Sequence, residues 1–147
     1  MTDKLNLVSG LSESEKKERS LALENISPDD AKYAKASKRL ADYLSAKAEL
    51  LAFANVQRVL LRTRAEFAKA MFKNLQEVES TFDELDPLNM ALLEEKITRH
   101  DQLAVIEEIG RHISPETKAL LHPGPTSYDI VDPARSYLFR DAWQEVI

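Results

Sequence analysis

Between Pro28 and Pro87 the chain contains neither glycine nor proline. These residues are the strongest local interrupters of regular structure, so their absence leaves room for long helices. The whole chain of 147 residues holds only 3 Gly and 6 Pro, and it is rich in Ala, Leu, Glu and Lys. All four are good helix formers. Strand signals are weak: there is no alternating run of β-branched residues and no Asn-Gly or Asp-Gly turn. The expected fold class is all-α. An apolar share of 44% against 31% charged suits a packed core and argues against disorder.

The apolar spacing divides the chain further. Residues 1–24 read as an N-terminal extension, because Ser12 to Lys17 is polar and charged. Such a stretch suits a frayed helix or a disordered arm. Residues 25–147 read as one helical domain. Ser27-Pro28-Asp29-Asp30 is a loop and a helix start, with a helix from about Ala34 to Ser45. A longer helix is expected from about Lys47 to Phe72, burying Leu50, Phe53, Ala54, Leu60, Leu61, Phe67, Ala68 and Met71. Leu75, Val78, Phe82 and Leu85 continue the pattern on a shorter helix. Asp86-Pro87 then reads as an N-cap with Pro at the first helical position. Thr98-Arg99-His100-Asp101 has the form of a capping box, followed by a helix to about Ile113 that buries Leu103, Ile106, Ile109 and Ile113. Ser114-Pro115 starts a short helix ending near Leu121. The loop His122-Pro123-Gly124-Pro125 is rigid, and Thr126 or Ser127 caps the last helix. That helix meets Ile147 in mid-pattern, without a glycine or proline stop, so more chain is expected to follow.

Several classes of chemistry are excluded by what is missing. No cysteine means no disulfide, no thiolate nucleophile and no zinc knuckle. No apolar run approaches a membrane span, and residues 1–20 lack a signal peptide's apolar core, so the expected location is cytoplasmic. Residues 1–73 carry 14 basic and 10 acidic side chains, whereas residues 74–147 carry 6 and 15. The basic excess in front raises nucleic acid as a partner. But Arg58, Arg62, Lys69 and Lys73 fall at helical spacing opposite the apolar face, with no interleaved aromatic to stack on bases. They read as a solvated face, so neither nucleic acid nor membrane is an expected partner. No Walker motif, dinucleotide fingerprint, nucleophile elbow or Ser–His–Asp triad is evident.

The candidate chemistry lies in two places. His100 stands in a helix's first turn between Arg99 and Asp101. Free N–H groups and a guanidinium there suit a carboxylate or phosphate, and Asp101 either caps the helix or orients the imidazole. The alternative is an ordinary capped helix start. Thr126-Ser127 opens another helix with two hydroxyls and free N–H groups, which suits a carboxylate or is a plain cap. His112, beside Arg111, reads as a surface residue. Asp129 and Asp132 lack a third ligand and define no metal site.

Taken together, three segments resemble the adenylosuccinate lyases. Thr98-Arg99-His100-Asp101 is similar to that family's Thr-Arg-His-Asp segment. His122-Pro123-Gly124-Pro125-Thr126-Ser127-Tyr128-Asp129 is similar to its His-x-Gly-x-Thr-Ser-x-Asp segment. Ser27-Pro28-Asp29-Asp30-Ala31-Lys32-Tyr33 resembles its N-terminal Ser-Pro-x-Asp-Gly-Arg-Tyr. The three keep the family's order across residues 25–147. The resemblance implies the N-terminal helical region of the fumarase/aspartase-superfamily fold. It implies a homotetramer that eliminates fumarate from adenylosuccinate and the related imidazole ribotide in purine biosynthesis. The substrate would be an anionic purine nucleotide, and no cofactor is implied. Carried over by residue, Arg99, His100 and Asp101 would line the substrate site, with His100 the catalytic candidate. Thr126 and Ser127 would bind the succinyl carboxylate, with His122, Lys32 and Tyr33 also at the substrate.

There are departures. Lys32 stands where the family has arginine, so a two-pronged contact becomes a point charge. Ala31 replaces a glycine. Pro133 replaces a threonine inside the last helix, which costs about 3 kcal/mol unless Asp132 caps and Pro133 opens the helix. The family's general acid histidine and its Ser-Ser-x-Met-Pro-x-Lys loop, which bears the general base, have no counterpart here. The chain alone is therefore expected to be inactive. Two other readings stand beside this one: a related cycloisomerase of the 3-carboxymuconate type, and a non-catalytic helical assembly module or relic.

Overall fold

The computed structural model describes residues 5–27 and 30–147, and the backbone alone at 30–34 and 36. Among the described residues eight α-helices run in chain order: α1 Glu13–Glu24, α2 Asp30–Leu44, α3 Ala46–Phe67, α4 Phe72–Thr81, α5 Pro87–Leu93, α6 Asp101–His112, α7 Pro115–Lys118 and α8 Ser127–Val146. Among the described residues there is no strand, so the class is all-α. No helix there is long and apolar enough to cross a membrane.

Most helix starts follow from a small polar residue at the right place. Ser45 Oγ accepts the Ala48 N–H at 3.2 Å and opens α3. Asp86 accepts the Leu88 N–H at 2.9 Å, with Pro87 at the first position of α5 where its missing N–H costs nothing. Residues 13–24, within the segment set apart as an extension, form a helix with a reciprocal Ser12–Glu15 capping box. This helix packs on α3 and α5.

The central element is α3. It buries Leu50, Ala52, Phe53, Ala54, Leu61 and Ala65 and is packed by α1, α2, α4, α5, α6 and α8. One apolar cluster joins this stripe to Leu75 and Val78 of α4, Met90 of α5, Val105, Ile106 and Ile109 of α6, and Ile130, Val131, Ala134 and Leu138 of α8. Each fully buried Leu, Ile or Phe contributes about 1.5–3 kcal/mol. Because α8 lies along α3 and α2, its N-terminus is fixed by the core rather than by loops.

Four expectations need correction. The long helix does not reach Phe72: Ala68 adopts φ −124° and ψ 87°, and Lys69–Met71 form a 3₁₀ turn before α4. Phe67 is therefore 88% exposed and Ala68 is also exposed, while Ala65 takes the core position. Leu103 points outward from α6, with Ala104 and Val105 buried beside it. Arg58 is half-buried rather than fully solvated: its guanidinium lies 4.3 Å from the centre of the Phe82 ring and donates to Asn55 Oδ1. Pro133 neither follows a cap nor opens a helix, because α8 runs through it from Ser127. The proline removes one intrahelical donor there.

A charged network lies under the core. Glu108 of α6 is fully buried, and its carboxylate accepts from Arg111 Nη1 at 2.7 Å, Asn89 Nδ2 at 2.5 Å and the Asp86 N–H at 3.1 Å. His112 is no bare surface residue, since it lies between Glu108 at 3.4 Å and Glu84 at 3.2 Å. Asn89 also accepts the Leu7 N–H and donates to Leu5 O, which anchors the N-terminal segment.

Candidate functional site

The site forms where the π-helical turn Glu94–Thr98, the start of α6 and the start of α8 meet. The expected capping box at Thr98 is not what forms. Thr98 Oγ1 donates instead to His100 O at 2.8 Å, Arg99 turns into the left-handed region at φ 54°, and extended His100 becomes the residue before α6. Left-handed backbone is unfavourable for a residue with a Cβ, so this turn stores strain next to the imidazole. Asp101 is consequently the first helical residue rather than a cap three positions in. Its Oδ1 accepts the Gln102 N–H at 2.6 Å and lies 3.2 Å from His100 Nδ1.

The second segment reaches the same place. His122 carries φ 56° and Gly124 φ 97°, so the loop reverses sharply and delivers Thr126 to the start of α8. Thr126 donates both its N–H, at 2.7 Å, and its hydroxyl, at 3.1 Å, to Asp129 Oδ2. These bonds hold the Asp129 carboxyl below its ordinary range. Thr126 is thus occupied by its cap. Ser127 is not: its Oγ sits 3.1 Å from His100 Nε2.

His122 lies deeper. Its Nδ1 is 2.7 Å from Nε2 of Gln57, a residue only 1% exposed in the middle of α3. An amide nitrogen can only donate, so Nδ1 accepts and the neutral ring carries its proton on Nε2. Burial lowers the His122 pKa, and the neighbouring charges of His100 and Arg64 push it in the same direction. Arg64 also donates to Leu120 O at 3.1 Å and to Pro123 O, tying the loop to α3.

The two motif segments therefore converge. His100 contacts Ser127 through Nε2 and Asp101 through Nδ1. Arg99 is exposed and acts electrostatically on Glu95. The side chains of Lys32 and Tyr33 lie outside the described residues, so their place at the site is not assigned. Sequence reasoning missed Gln57 and Arg64. Both sit on the α3 stripe, where a polar residue at a core position, as Gln57 is, is the one available signal. It also found no Ser–His–Asp arrangement, yet Ser127, His100 and Asp101 stand in that order in space. Among the described residues, no group of three His, Asp or Glu side chains is placed to hold a metal.

The N–H groups at the start of α8, the Ser127 hydroxyl and two imidazoles make a surface suited to an anionic, proton-exchanging ligand. No family model, curated protein or solved structure matches the chain.

Proposed function

We propose that the chain is the N-terminal portion of an adenylosuccinate lyase and supplies the carboxylate-binding part of that enzyme's site. The observation that carries this reading is the 3.1 Å contact between Ser127 Oγ and His100 Nε2. It joins, across 27 residues, the two segments on which the resemblance chiefly rests. On this reading the succinyl carboxylate takes hydrogen bonds from Ser127 and from the first N–H groups of α8, while Thr126, whose N–H and hydroxyl are held by Asp129, positions that helix start. His100 and Asp101 stand at the reacting end, while Arg99 supplies positive charge to an anionic purine nucleotide. His122, neutral and braced by Gln57, donates from Nε2.

Elimination of fumarate needs a base for the proton beside the carboxylate and an acid for the departing nitrogen. It also needs donors for the charge that builds between the two steps. The donors have counterparts here, whereas the family's acid histidine and base serine do not. The chain alone is accordingly inactive, and the active form is a cytoplasmic homotetramer of the longer chain that needs no cofactor. Two assays test this. The coding frame downstream of Ile147 should continue into a second histidine segment and a Ser-Ser-x-Met-Pro-x-Lys loop, and the purified 147-residue chain should release no fumarate from adenylosuccinate. An immediate stop codon, or fumarate release by the chain alone, contradicts the proposal.

A second reading, a non-catalytic helical assembly module, is favoured by one observation. Phe139, Trp143 and Val146 form an outward stripe along α8, each more than 60% exposed. Such a face favours association. A defined oligomer in size-exclusion chromatography supports the module, and heterogeneous aggregates support a piece of a larger enzyme.

A further inference from the structure

The contacts around His100 form a directional chain. Asp101 Oδ1 lies 3.2 Å from Nδ1, and Ser127 Oγ lies 3.1 Å from Nε2. Asp101 Oδ1, which accepts the Gln102 N–H at 2.6 Å, stands at ion-pairing distance from Nδ1, and with the proton on Nδ1 the Nε2 lone pair is left to accept from the serine hydroxyl. This is the order a serine nucleophile needs: a base within hydrogen-bond reach, itself oriented by a third group. Such relays are recognised by geometry and role, not by sequence position. The serine is also the first residue of the 20-residue helix α8, so its own N–H and that of Tyr128 have no carbonyl partner within the helix. Those donors stand beside Oγ, where an oxyanion would develop. Asp129, the nearest helix carboxylate in sequence, is engaged by Thr126. The imidazole and the Asp101 carboxylate are 43% and 37% exposed, so substrate and water reach the relay from solvent.

We propose that Ser127, His100 and Asp101 form a nucleophilic relay that cleaves small activated carboxylic esters through an acyl-serine. Ser127 Oγ bonds to the acyl carbon as its proton passes to His100 Nε2. The tetrahedral adduct collapses, the bond from the acyl carbon to the alkoxide breaks, and His100 returns the proton to the departing oxygen. Water then repeats the sequence on the acyl-serine, releasing the carboxylic acid and restoring the serine. Ser127 and His100 touch the reacting atoms, and Asp101 is a positioning residue. This activity is separate from the lyase reading and does not depend on it.

The test uses the intact 147-residue chain with p-nitrophenyl acetate and a fluorophosphonate probe. The expected result is a burst of p-nitrophenol and a single acetyl or phosphonyl adduct mapped by mass spectrometry to Ser127. Ser127→Ala abolishes the adduct, and Ser127→Ala and His100→Gln each slow turnover at least tenfold, in line with general-base contributions. Asp101→Asn lowers the rate and changes its pH profile, which a purely structural loss would not do. Ser136→Ala, an exposed serine on the same helix, leaves burst and label unchanged. Circular dichroism separates loss of chemistry from loss of fold. Hydrolysis without a burst, or labelling undiminished in a folded Ser127→Ala chain, overturns the relay. Adenylosuccinate binding with no acylation overturns the relay alone, while acylation with no adenylosuccinate binding overturns the lyase reading alone.

Discussion

Glu108→Gln should be the most damaging isosteric substitution in the chain. The carboxylate is fully buried and accepts from Arg111, Asn89 and the Asp86 N–H, with His112 alongside. The amide keeps the volume, removes the charge and turns one acceptor into a donor that faces other donors. Arg111, only 14% exposed, then loses its counter-charge. Breaking a buried pair from one side costs about 3–5 kcal/mol. Arg111 keeps some access to water, so the lower figure of about 3 kcal/mol applies. For a chain of this size that loss lowers Tm by roughly 6–12 °C. The damage also travels to the N-terminal segment, because Asn89 holds Leu7 N–H and Leu5 O. Thermal unfolding followed by circular dichroism, with hydrogen exchange read at the Leu7 amide, measures both effects. A double variant, Glu108→Leu with Arg111→Met, should recover part of the loss, since it removes both charges together. A fall of under about 2 °C in Glu108→Gln, equal to less than about 1 kcal/mol, with unchanged Leu7 protection would refute the reasoning.

The remaining predictions concern pH and the site loop. Glu77 accepts from Thr117, Ser114 Oγ and the Ser114 N–H, and these bonds hold its pKa below the ordinary 4.5. Its contribution to stability is therefore complete above that value and is lost as pH falls below it, so denaturant midpoints should drop on acidification less steeply in Glu77→Gln. His122 has its pKa lowered below 6.5, chiefly by burial. The unfolded chain binds the proton first, so stability falls as pH drops below about 6.5. An NMR titration of the His122 ring should give a midpoint under 6.5, and a higher midpoint would show that the ring is not buried as described. Leu61→Ala, at a site of zero exposure in α3, should cost about 2–5 kcal/mol in denaturant unfolding, and a loss below about 1 kcal/mol would argue against a tightly packed core.

Helix starts were the most legible part of the fold. Asp86-Pro87, Ser114-Pro115 and Thr126 announce their caps by local chemistry, and each caps a helix. The end of α3 was not legible, because Ala68 is a good helix former and no glycine or proline marks the break. Packing of α4 against α3 and α6 sets that boundary instead. At Thr98 the residue pattern fitted a capping box, but the chain widens into a π turn and the hydroxyl goes to His100 O. A turn of that kind follows from tertiary position rather than from a short motif. The contact of His100 with Ser127, the bond from Gln57 to His122 and the bonds from Arg64 to the loop at Leu120 and Pro123 span 27, 65 and 56–59 residues. Sequence spacing along one helix carries no record of such contacts.

The most direct measurement is a calorimetric titration of the 147-residue chain with adenylosuccinate, repeated on Ser127→Ala. The account predicts saturable binding that weakens at least tenfold in the variant, as loss of a charge-assisted hydrogen bond of about 1.5–3 kcal/mol requires. Absence of binding to the folded chain, or equal binding by the Ser127→Ala variant, would contradict it.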